Sequence, residues 1–113
     1  MRTVIEPTHI ITLYISGPRN IAEQVCREYC YGKKLCVTIE DTAFIYMGGQ
    51  EAGIRIGLLN YPRFPSTPEW LLEAATELAK LLIERLYRDS ALIVNSNPAT
   101  TTWITRREHS GHA

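Results

Sequence analysis

A strand that runs directly into Gly17-Pro18-Arg19 and opens an amphipathic helix is echoed later by a strand running through Tyr61-Pro62-Arg63-Phe64-Pro65 into another. Two strand-loop-helix units in one short chain must each bury a helix stripe against a sheet, which narrows the choice to layered folds. The first strand is expected over His9 to Ile15, where Ile11, Leu13 and Ile15 alternate with Ile10, Thr12 and Tyr14. Ser16-Gly17-Pro18 then reads as a cap and early-turn proline, and Ile21, Ala22, Val25, Cys26, Tyr29 and Cys30 share one helical stripe. Gly32 suits the residue after the helix end, with Lys33-Lys34 placed where the helix dipole favours positive charge.

Leu35 to Ile39 and Ala43 to Met47 read as two short strands separated by a turn at Asp41-Thr42, and Gly53 to Leu59 as a further strand. The second helix is marked by the capping-box spacing Ser66-x-x-Glu69, by Pro68, and by Leu71, Ala75, Leu78, Leu82 and Leu86 at helical intervals. Ala91 to Val94, a turn at Asn95-Ser96-Asn97-Pro98, and Thr101 to Thr105 complete the pattern, and Arg107 to Ala113 reads as a loose tail. The expected order is βαβββαββ in one α+β domain over residues 1–106. Each helix is long enough to connect parallel strands, so the expected architecture is a two-layer sandwich: a mixed sheet with two helices on one face. The other face, with Tyr14, Thr38, Arg55 and Leu59, is left open within one subunit and calls for a homo-oligomeric partner, a dimer or trimer.

Twelve basic against twelve acidic residues give zero net charge, so any anion site must be local and nucleic acid is not an expected partner. No apolar run approaches a membrane span and no secretory segment follows Met1, which points to a cytoplasmic protein with no membrane partner. Three cysteines, Cys26, Cys30 and Cys36, fit reduced thiols. No histidine stands at zinc spacing from them, so no metal site and no cofactor are expected.

Arg63 is the central candidate binding residue. A guanidinium at a helix start can grip phosphate or carboxylate together with backbone N–H groups from Thr67 to Trp70, and Tyr61 and Phe64 can stack on a flat ring. Pro62, Phe64 and Pro65 also read as residues that stiffen a loop around a solvated arginine. Arg19 has similar geometry at the first helix without aromatic neighbours. Glu51 and the Glu40-Asp41 pair read as turn residues or as acids without an assignable partner, and Lys33-Lys34 and Arg106-Arg107 as solvated basic pairs. No catalytic residue emerges.

Ala43-Phe44-Ile45-Tyr46-Met47-Gly48-Gly49-Gln50-Glu51, the helix end Leu81-Leu82-Ile83-Glu84-Arg85-Leu86, and Leu92-Ile93-Val94-Asn95 leading to Trp103 resemble segments of the tautomerase superfamily, in its macrophage migration inhibitory factor branch. That resemblance implies two βαβ halves and trimers, and a general base that is an amino-terminal proline amine. Pro7 stands at the comparable place, but its nitrogen is an amide here, so the chemistry does not carry over. Gly48-Gly49 and Asn60-Tyr61-Pro62-Arg63-Phe64-Pro65 also resemble segments of small phage and prophage proteins without assigned activity. The expected function is a non-enzymatic, oligomeric, phage-type protein that holds a small anionic or nucleotide-like ligand, or a host factor, in an anti-defence role. The alternatives are a tautomerase-like isomerase or a structural adaptor subunit.

Overall fold

The computed structural model describes residues 1–106, and the expected tail, Arg107 to Ala113, lies outside them. The elements are β1 (Ile10–Ser16), α1 (Arg19–Lys33), β2 (Val37–Tyr46), β3 (Gly49–Leu59), α2 (Pro68–Arg85), β4 (Ser90–Ser96) and β5 (Ala99–Thr105). Both helices cover one face of a five-stranded sheet ordered β2-β3-β1-β4-β5, an α+β two-layer fold.

Two expectations are corrected. Every neighbouring strand pair is antiparallel, so the sheet is not mixed. β1 and β2 do run the same way across α1, but β3 folds back between them and takes the place beside β1, making a split βαβ unit of ferredoxin-like type. The second correction removes one strand break. β2 continues through Asp41-Thr42 in unbroken register, from Val37 opposite Leu58 to Tyr46 opposite Gly49, and the chain reverses at Met47-Gly48, where Gly48 has φ +81°. Asp41 of the expected turn lies 3.3 Å from Arg19, and Glu40 beside it lies 3.5 Å from Arg55 on β3.

The core is the face where apolar alternation meets the helical stripes. Ile11, Leu13 and Ile15 of β1, Ile54, Ile56 and Leu58 of β3, and Ile93 of β4 pack against Ala22 and Val25 of α1 and Leu71, Leu78 and Leu82 of α2. The helices run antiparallel. Arg85 at the end of α2 meets Glu28 at 3.0 Å, while Lys33 at the end of α1 reaches Glu77 at 3.6 Å, so the end of α1 points toward the start of α2.

Helix boundaries shift slightly from the expected ones. Thr67, not Ser66, caps α2 by accepting from the Trp70 N–H at 3.1 Å, and α1 runs past Gly32 to end at Lys34 in the left-handed conformation. Arg106 is not merely solvated: its guanidinium donates to the Ile83 and Arg88 carbonyls at 2.7 and 3.0 Å, joining the Arg88 N–H on the Ile83 carbonyl.

Among the described residues no helix lies over the opposite sheet face. Tyr14, Thr38, Arg55 and Leu59 do lie there, joined by Phe44, Leu92 and Trp103 through cross-strand register. The β2–β3 hairpin extends past the end of β1, which pairs with β3 only from Gly53 to Leu59. Its tip carries Ile45 and Met47, 77% and 99% exposed. Among the described residues no helix is long and apolar enough to cross a membrane.

Candidate functional sites

The segment between β3 and α2 is held by Asn60. Its side chain donates to the Pro7 carbonyl at 3.0 Å and accepts from the Ser66 N–H at 3.1 Å, while its own N–H donates to the His9 carbonyl. Phe64 N–H closes back on the Tyr61 carbonyl at 2.8 Å, a tight turn with Pro62 and Arg63 at its centre. Proline suits the first central position of such a turn, which throws the Arg63 side chain outward.

Because the helices are antiparallel, this loop faces the end of α1. Between them lies a cavity of about 690 Å³, walled by Lys33 and Lys34 on one side and by Arg63, Phe64, Ser66, Thr67 and Trp70 on the other. The Arg63 guanidinium sits 5.9 Å from the Phe64 ring centre. Lys33 shares Glu77 at 3.6 Å, and no carboxylate lines the cavity among the described residues. The Ser66 hydroxyl is occluded and has no partner there.

Of the five residues expected to bind ligand, the structure brings Arg63, Phe64 and Thr67 to this cavity. Tyr61 stands behind Phe64, with ring centres 6.4 Å apart, and does not line it. Arg19 lies elsewhere, its guanidinium held by Glu23 at 2.8 Å and by Asp41. The expected row of backbone donors is also reduced, since Pro68 has no N–H and the Trp70 N–H is used by the Thr67 cap. Lys33 and Lys34, expected as a solvated basic pair, and Trp70, expected only through its backbone N–H, line the cavity because of helix pairing.

A second hollow, about 270 Å³, opens on the uncovered sheet face near the end of β1. Tyr14, Phe44, Leu92 and Trp103 wall it, and Glu51 is its carboxylate. Tyr14 and Phe44 meet edge to face at 6.4 Å and 64°. Glu51 is a strand residue, not the turn residue expected; Arg88 comes within 4.0 Å of it. Phe44 lies over Gly53, where a Cβ would overlap its ring.

The cysteines gather along a third, shallow groove that also includes Arg19. Burial pushes the Cys26 thiol up to about 12 and raises Cys30, while Cys36 is exposed. Among the described residues no cluster of three or more histidines, cysteines or acids is placed to hold a metal.

Neither a protein-family model nor a curated protein sequence matches this chain. Solved structures do. A phage SAM lyase in the apo state matches at 12% identity with a TM-score of 0.70, covering 96% of this chain and all of the other (100%). A phage SAM lyase in complex with S-methyl-5'-thioadenosine matches at 12% identity and TM-score 0.63, covering 96% and 98%. The chain therefore shares its fold with these two structures over nearly its whole length. The tautomerase resemblance receives no support from these matches, and Pro7 is an exposed residue inside the chain, its carbonyl bonded to Asn60.

Proposed function

We propose that this chain is a phage-type protein that binds an S-adenosyl thionucleoside against the open sheet face and acts on SAM as a lyase. The observation that carries the reading is the hollow in which Tyr14, Phe44 and Trp103 surround one carboxylate, on a fold shared with phage SAM lyase. Aromatic faces suit both ends of such a ligand. A base stacked on an aromatic side chain contributes about 1–3 kcal/mol, and a ligand cation over a ring about 0.5–2 kcal/mol. Glu51, which shares Arg88 at 4.0 Å, would face the cationic part of the ligand.

The chemistry balances without a co-reactant. The bond from sulfur to the amino-acid arm breaks with both electrons remaining on sulfur, and the arm's own carboxylate closes on the carbon that sulfur leaves. A sulfonium becomes a neutral thioether, S-methyl-5'-thioadenosine. Charge is annihilated in the transition state, so a partly apolar wall disfavours the charged reactant more than the product.

At about 270 Å³ the hollow falls just below the usual range of about 300–1,000 Å³ for small-molecule sites. We take the missing wall to come from further copies of the chain, in a dimer or trimer, which would also cover Ile45 and Met47 at the hairpin tip. A phage protein that removes SAM would deprive host enzymes that depend on it, and this is the route to an anti-defence role.

The test is incubation of the intact chain with SAM, following S-methyl-5'-thioadenosine by chromatography and mass spectrometry. Product should form, and Glu51→Gln and Tyr14→Ala should each slow it by about tenfold or more, the loss expected when one charged or stacking contact is removed. Binding of S-methyl-5'-thioadenosine without turnover would leave the non-enzymatic form of the reading, sequestration. Neither turnover nor binding at millimolar ligand rejects it.

A further inference from the structure

We propose that the cavity between the end of α1 and the start of α2 is a second site, separate from the sheet-face hollow, and that it takes a phosphate-bearing nucleotide. Three cationic side chains, Lys33, Lys34 and Arg63, converge on it from two elements far apart in sequence. The chain as a whole carries no net charge, so this concentration of positive charge is local. Among the described residues only Lys33 of the three has an ion-pair partner, Glu77, and its ammonium also lies 5.8 Å from the Tyr29 ring centre; the Glu77 carboxylate is outside the cavity lining. Such a site is matched by an anion with several oxygens, which a guanidinium grips in a fork and ammonium groups neutralise as point charges.

The remaining lining restricts the anion further. Phe64 and Trp70 are each more than one-third exposed although both stand at this cavity, an arrangement that offers flat apolar faces to a ring. Trp70 sits in the first turn of α2 and Phe64 in the Asn60-anchored turn, so neither face depends on a mobile terminus. The volume of about 690 Å³ lies well inside the range of about 300–1,000 Å³ that encloses drug-sized ligands, enough for base, sugar and phosphate together. Ser66 adds an occluded hydroxyl with no partner among the described residues. A sulfonium nucleoside without phosphate has no use for three cations, which is why this site and the SAM site take different ligands.

The test uses the full chain carrying Trp103→Phe, so that Trp70 is the one tryptophan reporting by fluorescence. ADP and AMP are titrated against adenosine, which lacks phosphate, and against inorganic phosphate, which lacks the ring. ADP should quench Trp70 and bind at least about tenfold more tightly than either fragment, as expected when charged and stacking contacts are both made. Arg63→Ala and Lys34→Ala should each weaken ADP by about tenfold or more, the loss for one charge-assisted contact, with binding weaker still in added salt. Both residues are exposed, and an unchanged melting temperature shows that the fold is intact.

The proposal fails if no nucleotide binds, if a variant carrying both Arg63→Ala and Lys34→Ala binds ADP as the parent does, or if inorganic phosphate alone binds as well as ADP. It also fails if a single-stranded oligonucleotide binds more tightly than ADP. Its failure is distinguishable from that of the SAM reading: Arg63→Ala should leave S-methyl-5'-thioadenosine binding unchanged, and Glu51→Gln should leave ADP binding unchanged.

Discussion

Gly53 and Phe44 connect the sheet to its open-face hollow, and the substitution Gly53→Ala tests that connection directly. Gly53 is buried in β3 between Ser16 of β1 and Thr42 of β2, and a Cβ added there would meet three atoms of Phe44, one at 2.8 Å and another at 2.9 Å. Gly53 is not among the glycines with positive φ, so alanine meets no backbone penalty, and in a strand it recovers about 0.5–1 kcal/mol of conformational entropy. Against this, the ring must move. If it swings outward it gives up its edge contact with Tyr14, about 0.5–1.5 kcal/mol; if it stays, the strands must part at about 1–3 kcal/mol.

On the cheaper, outward path the net loss is at most about 1 kcal/mol, a fall of up to about 4 °C in melting temperature for a chain of this size. The decisive measurement is a double-mutant cycle by urea denaturation. With Phe44→Ala in place the nearest obstacles are gone, so adding Gly53→Ala should be neutral or slightly stabilising, and the coupling should reach about 1–2 kcal/mol, well above the roughly 0.3–0.5 kcal/mol tolerance of independent sites. Gly53→Ala alone should also weaken S-methyl-5'-thioadenosine by displacing a wall of the hollow. An equal cost of Gly53→Ala in both backgrounds would refute the placement of the ring over the glycine.

Three further outcomes follow from burial. Leu78 is fully buried where α2 meets the sheet, so Leu78→Ala should cost about 2–5 kcal/mol while Leu78→Met costs less than about 1.5 kcal/mol, measured by urea denaturation; equal effects would mean the site is not tightly packed. At about pH 8, near the ordinary thiol value, a thiol-specific reagent should label exposed Cys36 well before Cys26, whose thiol burial holds up at about 12. The folded value lies above the unfolded one, so the Cys26 contribution to stability is full below about pH 8.5 and is lost as pH rises toward 12, and Cys26→Ser should flatten that part of the alkaline loss. Faster labelling of Cys26 than of Cys36 would overturn the assignment.

How much was legible in the sequence depended on whether the deciding interaction was local. α2 was readable because Pro68, Glu69 and the leucine spacing all act within a few turns; its cap moved by only one residue, to Thr67. The two-layer plan followed from the same periodicities. Strand pairing did not, because the direction of β1's neighbours depends on β3 folding back into the sheet, a choice made between segments separated by a helix. Asp41-Thr42 has turn composition, yet both residues pair in register with Ile54 and Gly53 of β3, a segment remote enough in sequence to leave no local signal. The Arg63 loop carried its own signal in its prolines and aromatics. Its cavity was only half visible, since Lys33 and Lys34 join it through antiparallel helix packing, and Tyr14, Phe44, Glu51 and Trp103 come from four strands with no shared motif.

The placement of the two hollows bears on whether one ligand could serve both. β1 starts beside His9 and Asn60, at the end of the molecule that holds the Arg63 cavity, and finishes at Ser16, which lines the sheet-face hollow. Seven strand residues at about 3.3 Å each put roughly 20 Å between those ends, more than twice the screening length of about 8 Å at physiological salt. The sites are therefore electrostatically independent, and their charges are opposite in preference: three cations in one, Glu51 in the other. ADP and S-methyl-5'-thioadenosine should bind the same chain together, each leaving the other's dissociation constant within about twofold, since uncoupled sites have a coupling free energy near zero. Mutual exclusion in a two-ligand titration would show that they contend for one pocket, and the division of the molecule into a sulfonium site and a phosphate site would have to be abandoned.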